Sequence, residues 1–317
     1  MPEPLVSVVV STYNRPERLA RLLASLRDQE LAADTFEVIV VDNGSSGEAT
    51  AAVLSQESGR PGLQLRSVRN EVTLGPAGGR NSGWRVARAP LVAFTDDDCA
   101  PDAGWLAAGV RASFVTPGAV IQGVTRPDPR ELDQDGPLSR TVRVETLGPQ
   151  YEACNIFYPR ELLEALAGFD ERFGALPAGE DTDLAWRAIE RGARTALAPD
   201  AVVFHSVDRV GMRGMLRFAS RWGAVTRLFS AHPQTRAMLH RHVFWNVWHY
   251  LLWRSALALA APRPLRRLIL ARHLLELRRR ARREGGGAWL IPFLLAYDAV
   301  ECWSIARGAI RHRTLVL

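Results

Sequence analysis

Over the first two hundred residues, short runs of Val and Ile alternate with stretches in which apolar residues recur every three or four positions. The runs lie at residues 6–10, 37–41 and 63–68, and the periodic stretches at 17–26 and 49–56. Unbroken apolar runs predict strands buried on both faces. Their alternation with amphipathic helices predicts a parallel sheet with crossover helices. Leu19, Leu22, Leu23 and Leu26 share one helical face behind Pro16, a residue suited to a first turn, so this helix should pack on the sheet. Gly75-Pro76-Ala77-Gly78-Gly79 predicts a turn feeding a helix through Ala87, and residues 91–95 a strand ending in Asp96, Asp97 and Asp98. Residues 119–124 predict another strand, the Pro- and Asp-rich stretch 126–137 a mobile surface loop, and 160–167 a helix. Residues 169–177 lead to an acidic helix start at 178–187, with Leu184, Trp186 and Ile189 turned inward. Residues 195–198 and 201–204 predict a hairpin-like pair ending at His205, and no repeat of solenoid or propeller length is present.

Composition narrows this picture. A chain of 317 residues, 47% hydrophobic and 23% charged, can bury a substantial core, which excludes a disordered tail, a fibre and a disulfide-stapled miniature domain. All 40 basic residues are arginine, so a phosphate-loop lysine and every Schiff-base lysine mechanism are absent. Cys99, Cys154 and Cys302 lie far apart in no metal or redox spacing, and the N-terminus carries no export pattern, which together predict an intracellular protein.

The charge is unevenly divided. Residues 1–210 hold 21 arginines against 30 acids (net −9), and residues 211–317 hold 19 against 4 (net +15). A boundary is therefore expected near Asp208–Gly211, between a domain at 1–210 and an Arg/Trp-rich helical region at 211–317. The acidic part is a poor nucleic-acid clamp, while the basic part suits an anionic membrane face.

Open parallel sheets bind ligands beyond the carboxyl ends of their strands. Thr12–Asn14, Asp42–Ser45 and Asp96–Asp98 should share that rim. Asp96 and Asp98, two apart just past a strand, can reach one hard cation, although acidic loop residues are more often solvated or cap a helix. Asp42 can accept hydrogen bonds from a nucleobase or ribose edge, or close an Asx turn. Glu180, Asp181 and Asp183 occupy a first helical turn, where the macrodipole favours anions by roughly 0.3–1 kcal/mol. A general base on a rigid helix end would look the same. His205 closes a strand-like run, where it is either a packed residue or the completion of a metal shell.

At this point the residues resemble family 2 glycosyltransferases. Residues 6–15 (Val-Ser-Val-Val-Val-Ser-Thr-Tyr-Asn-Arg), 40–45 (Val-Val-Asp-Asn-Gly-Ser), 78–81 (Gly-Gly-Arg-Asn), 94–98 (Phe-Thr-Asp-Asp-Asp) and 179–187 (Gly-Glu-Asp-Thr-Asp-Leu-Ala-Trp-Arg) stand in that family's order, over about residues 5–206. The resemblance implies a GT-A fold, a nucleotide-binding α/β sandwich with a mostly parallel sheet. It also implies a nucleotide-sugar donor, Mn²⁺ or Mg²⁺, and inversion at the anomeric carbon. It assigns Thr12, Tyr13 and Asn14 to the loop lining the nucleoside, Asp42 to reading the base, and Arg80 and Asn81 to the donor. Asp96 and Asp98 match the metal motif, with Asp98 the direct ligand and Asp96 nearer the ribose, and Asp97 between them is counted with the donor residues. Asp181 matches the catalytic base, with Glu180 its neighbour and alternate. His205 corresponds to a metal-binding histidine of some members.

Beyond residue 210, Arg213, Arg217 and Arg221 share a helical stripe, either solvated or holding a phosphate of the donor or of a lipid-linked acceptor. Residues 243–261 are rich in Trp and Leu but interrupted by Asn246, His249 and Arg254, which predicts an interfacial or re-entrant segment rather than a span. Residues 289–305 are apolar but broken by Pro292, Asp298 and Glu301, and residues 263–283 hold nine arginines. A helical subdomain packed on the catalytic part, or a dimer interface, accounts for the same residues.

The expected function is thus inverting sugar transfer to a saccharide or lipid-linked hydroxyl, in the cytoplasm or peripherally on the inner membrane face, with homo-oligomerisation left open. The alternative from another class is a non-catalytic nucleotide-sugar-binding or membrane-binding adaptor on the same fold. A nucleotidylyltransferase or dinucleotide oxidoreductase would need glycines right after the first strand, and Ser11–Pro16 has none.

Overall fold

A computed structural model describes residues 3–174 and 178–317. Residues 175–177, in the stretch leading to the acidic helix, and residues 1 and 2 lie outside the described residues. The chain forms two compact units, Met1–Leu132 with Thr141–Ser206, and Asp133–Arg140 with Val207–Leu317.

In the first unit the order is β1 (Val6–Thr12), α1 (Pro16–Arg27), β2 (Phe36–Asn43), α2 (Ala49–Ser58), β3 (Leu65–Asn70), α3 (Gly75–Trp84), β4 (Leu91–Asp96), β5 (Cys99–Pro101), α4 (Trp105–Val115) and β6 (Val120–Pro127). The two-residue β7 (Ser139–Arg140) belongs to the second unit. The chain returns with β8 (Asn155–Pro159), α5 (Arg160–Leu166), α6 (Glu180–Glu190) and β9 (Thr195–His205). The sheet has eight strands in the order β3-β2-β1-β4-β8-β6-β9-β5 among the described residues. β3, β2, β1 and β4 run parallel, as do β6 and β9, whereas β8 is antiparallel to β4 and β6, and β5 to β9.

The central strands are Val/Ile runs because both faces are covered. Val8, Val10, Val38 and Val40 pack with the leucine face of α1 and with Trp105 and Leu106 of α4. Val9, Ile39, Val92 and Phe94 face the other way, against Trp84 of α3, Leu163 of α5 and Leu184 of α6.

Three local expectations are corrected. The glycine-rich stretch at 75–79 is not a turn before a helix but the first half of α3 itself, which ends at Trp84. A Cβ on Gly79 would stand 2.1 Å from the Ser11 hydroxyl oxygen, and one on Gly83 2.4 Å from a Val9 methyl, so the glycines let this helix press onto β1. Residues 195–204 do not form a hairpin: β9 is one strand whose pairing with β6 jumps from Gly123↔Ala198 to Val124↔Val202. The Asn155 amide donates to the Val124 and Ala201 carbonyls at 2.8 and 2.9 Å, which satisfies the backbone where the ladder is broken. The stretch 126–137 is partly structured, since β6 runs through Pro127 and a 3₁₀ segment covers Pro129–Gln134.

The second unit is helical apart from β7 paired with β10 (Asp208–Arg209). It comprises α7 (Gly211–Ala219), α8 (Thr226–Ala231), α9 (Val247–Ala258), α10 (Arg263–Arg283) and α11 (Leu290–Arg311). Among the described residues no helix is long and apolar enough to cross a membrane. The acids that interrupt residues 289–305 point into the unit. Asp298 binds Arg280 of α10 at 2.8 Å, and Glu301 accepts from His249 and Asn246 at 3.1 Å. Burial alone would lower the His249 pKa, but Cys302 and Glu301 raise it to about 9. Arg221 lies over the Phe218 ring at 3.7 Å.

Candidate active site

Strand register assembles the rim. Thr12 at the end of β1 pairs with Asp42 at the end of β2, and Ser11 on the other side of β1 pairs with Asp96 at the end of β4. The three acidic or polar loops expected to converge therefore start level with one another. Asn14 adopts a left-handed backbone (φ 55°), a conformation Asn tolerates. Its amide nitrogen donates to Ser45 Oγ at 2.9 Å, and its side-chain oxygen accepts from the Ser46 amide at 2.8 Å, tying the first loop to the second. Tyr13 is exposed beside it. Asp42 is buried, accepts from the Ser45 amide at 2.9 Å as in an Asx-type turn, and pairs with Arg69 of β3.

The acidic triplet separates into three roles. Asp96 keeps a side chain 32% exposed and binds Arg80 at 2.8 Å. Burial would raise its pKa, but Arg80 outweighs this and holds it below the ordinary carboxylate value. Asp97 turns inward, accepting from the Thr12 hydroxyl at 2.7 Å and from Arg15 at 3.0 Å, and burial with Asp98 alongside pushes it up to about 6. Asp98 binds Arg15 through Oδ2 at 2.8 Å. Its other oxygen, Oδ1, is buried without a hydrogen-bond partner among the described residues and lies 3.5 Å from His205 Nε2.

β9 brings His205 to this point. It pairs antiparallel with β5, placing His205 opposite Cys99, the residue after Asp98. His205 Nδ1 stands 2.8 Å from the Ser206 carbonyl oxygen. A carbonyl only accepts, so this contact places a proton on Nδ1 and leaves Nε2 as the nitrogen facing Asp98, the orientation usual for a metal-binding imidazole. Ligand atoms of Asp98, Cys99 and His205 lie within 4.8 Å of one another. Burial and the neighbouring Cys154 push the Cys99 thiol well up, so the carboxylate and the imidazole are the ready donors, a pair that fits a divalent cation.

Arg80 links this corner to the acidic helix. Buried on α3, it binds Asp96 with one guanidinium nitrogen and Glu180, at 3.1 Å, with another. Glu180 also accepts from the Ala178 amide at 2.9 Å, so its carboxylate is held on both oxygens. Among the described residues, Asp181, next in α6, accepts only from backbone amides, Thr182 at 2.9 Å and Ala153 at 3.3 Å. Burial and the charge of Glu180 raise it to about 7, with Arg80 opposing and Glu152 adding to the rise. Asn81 is not brought to this cluster: its amide binds the Phe169 backbone, Glu171 and the Trp84 indole.

Sequence reasoning missed Arg15, Arg69, Cys99 and Glu152 at the site. Arg15 follows the first loop by one residue and was open to notice. Cys99 was set aside for lack of ligand spacing, because its partner stands across a strand pair 106 positions later. Glu152, buried enough to raise its own pKa, belongs to an irregular stretch with no periodicity to mark it.

A sheet covered on both faces, with its acids gathered at one rim, is the architecture of a GT-A protein. The chain belongs to glycosyl transferase family 2, whose family model matches residues 7–166. It is 30% identical over 247 residues to the pre-mycofactocin glycosyltransferase of Mycobacterium tuberculosis, covering 74% of this chain and 49% of that protein. The chain thus spans about half the length of that curated relative. Among solved structures, a mannosyltransferase from Pyrobaculum calidifontis in complex with GDP-Man and Mn²⁺ superposes with a TM-score of 0.66 at 23% identity, over 96% of this chain and 88% of that one. TarS 1–349 of S. aureus in complex with UDP-GlcNAc gives 0.53 at 18% identity, over 98% and 92%. These likenesses establish the GT-A fold.

Proposed function

We propose that this chain transfers a sugar from a nucleotide-sugar donor to a hydroxyl acceptor with inversion, Asp181 serving as general base and Asp98 with His205 holding Mn²⁺ or Mg²⁺. The observation that carries the reading is the Arg80 bridge. It ties the carboxylate at the donor corner to the helix turn that carries a carboxylate with a pKa near neutrality. Bound nucleotide sugars in the two solved neighbours named above, and Mn²⁺ in one, support the same assignment.

Asp42 offers its carboxylate to the base or ribose, and the Thr12–Asn14 loop lines the nucleoside. When bound, the cation offsets the negative charge that develops on the departing nucleoside diphosphate. The imidazole ligand tilts the choice toward Mn²⁺. Asp181 accepts the proton of a saccharide or lipid-linked hydroxyl as it attacks the face opposite the leaving group, a role typically worth 10²–10⁴-fold. Glu180 is clamped by Arg80, which leaves Asp181 as the carboxylate available for proton transfer.

A thermal-shift panel of UDP-, GDP- and dTDP-sugars with and without Mn²⁺ tests the donor site, because a ligand raises Tm according to its binding. One nucleotide is expected to stabilise the chain only with metal, and to do so equally in Asp181→Asn. A panel with no metal-dependent shift overturns the reading in favour of an adaptor without a donor site.

A further inference from the structure

α10 has two unlike sides. His273, Leu277 and Ala281 are buried, with His273 Nδ1 2.7 Å from Ser255 Oγ of α9 and Leu277 in a cluster with Phe293 and Leu294 of α11. Leucine also occupies the outer side: Leu265, Leu268, Leu270, Leu274 and Leu275 are exposed, Leu268 by 67%. Leu257 and Leu259, just before the helix, are exposed by 73% and 63%. Leucine thus lies on both sides of the helix, which has no single apolar face.

Arginine frames the outer leucines. Arg263 and Arg267 stand at one end, Arg278, Arg282 and Arg283 at the other, and Arg272 in the middle; all are exposed. None of these six has an ion-pair partner among the described residues, whereas Glu276, the acid within the helix, is bound to Arg279 at 2.6 Å. The complement of this surface must be apolar at its centre and anionic around it. A second copy of the same face brings the same arginines and is repelled. Acyl chains beneath anionic headgroups match on both counts: leucines enter the headgroup boundary while guanidinium groups reach phosphate.

We propose that the outer face of α10, with the end of α9, docks on an anionic lipid membrane with the helix lying flat. This stands independently of the donor-site reading. The test is cosedimentation of the full chain with vesicles of phosphatidylcholine, with and without phosphatidylglycerol, across a salt series. The chain should pellet with anionic vesicles at low salt, be released as salt rises, and bind phosphatidylcholine alone far more weakly. Arg263→Gln, Arg267→Gln and Arg272→Gln together should lower the partition coefficient about a hundredfold, at roughly fivefold per arginine. Leu265→Ser, Leu268→Ser and Leu275→Ser should weaken binding while preserving its salt dependence. These positions are exposed, so circular dichroism should be unchanged, and the lipid and salt comparison on the parent chain decides without any variant. Failure of the parent to pellet at low salt, equal binding to both vesicle types, or a parent dimer that the leucine variant converts to monomer would each overturn the proposal.

Discussion

Asp181 shows how neighbours set the role of a carboxylate. A general base, the role proposed for Asp181, acts when deprotonated, so kcat/KM should fall as pH drops through about 7, the value burial and Glu180 impose on it. Arg80 and Glu152 act on it in opposite directions. Glu152→Gln should therefore move the acidic limb of the pH–rate profile to lower pH, and Arg80→Gln to higher pH. Limbs that stay in place in both variants would show that another group controls the profile. Stability responds with the reverse sign to activity. The folded carboxyl holds its proton more tightly than the unfolded one, so its contribution is complete below the unfolded value near 3.8 and is lost as pH rises through about 7. Asp181→Asn should accordingly abolish turnover yet raise Tm at pH 8, with little change at pH 4, as scanning calorimetry would reveal. On the metal side, His205→Ala should lower the Mn²⁺-dependent part of the nucleotide thermal shift by at least tenfold in apparent metal affinity.

Among the elements, α3 and β9 do most to shape the site, and both were the least legible in the sequence. Gly83→Ala would set a methyl 2.4 Å from Val9 and 3.0 Å from Val41, so it should cost about 1–3 kcal/mol by urea denaturation and shift the helix that carries Arg80. Loss of less than about 0.5 kcal/mol would mean that β1 yields easily. Asn155→Ala should be at least as damaging, because it unpairs two carbonyls and the Trp105 indole N–H at once. The Val/Ile strands and the leucine face of α1 were readable because burial on both faces leaves a local pattern. The acids at the ends of β2 and β4 were readable because strand ends are where such a sheet exposes polar side chains. Glycine in α3 signals a turn by propensity and is overridden by the close approach of helix and sheet. Pro199 and Asp200 likewise suggest a turn, but an Asn 45 residues upstream absorbs the irregularity within one strand.

For the whole molecule, the opposite charges of residues 1–210 (−9) and 211–317 (+15) predict attraction between chains that salt abolishes. Light scattering without lipid should show an apparent mass that rises at low ionic strength and returns to that of the dispersed chain once the Debye length shrinks to about 10 Å, near 0.1 M salt. A mass independent of salt would show that the two charge sets do not meet. A different consequence follows from the ladder between β5 and β9. β5 has β9 as its sheet neighbour, and the Asp98 corner is closed by a residue more than a hundred positions later. During synthesis, the aspartate triplet therefore leaves the ribosome well before the histidine that completes its surroundings. The nascent protein must carry that acidic edge open until His205 has emerged, so the proposed cation site cannot be complete before about two thirds of the chain has been made.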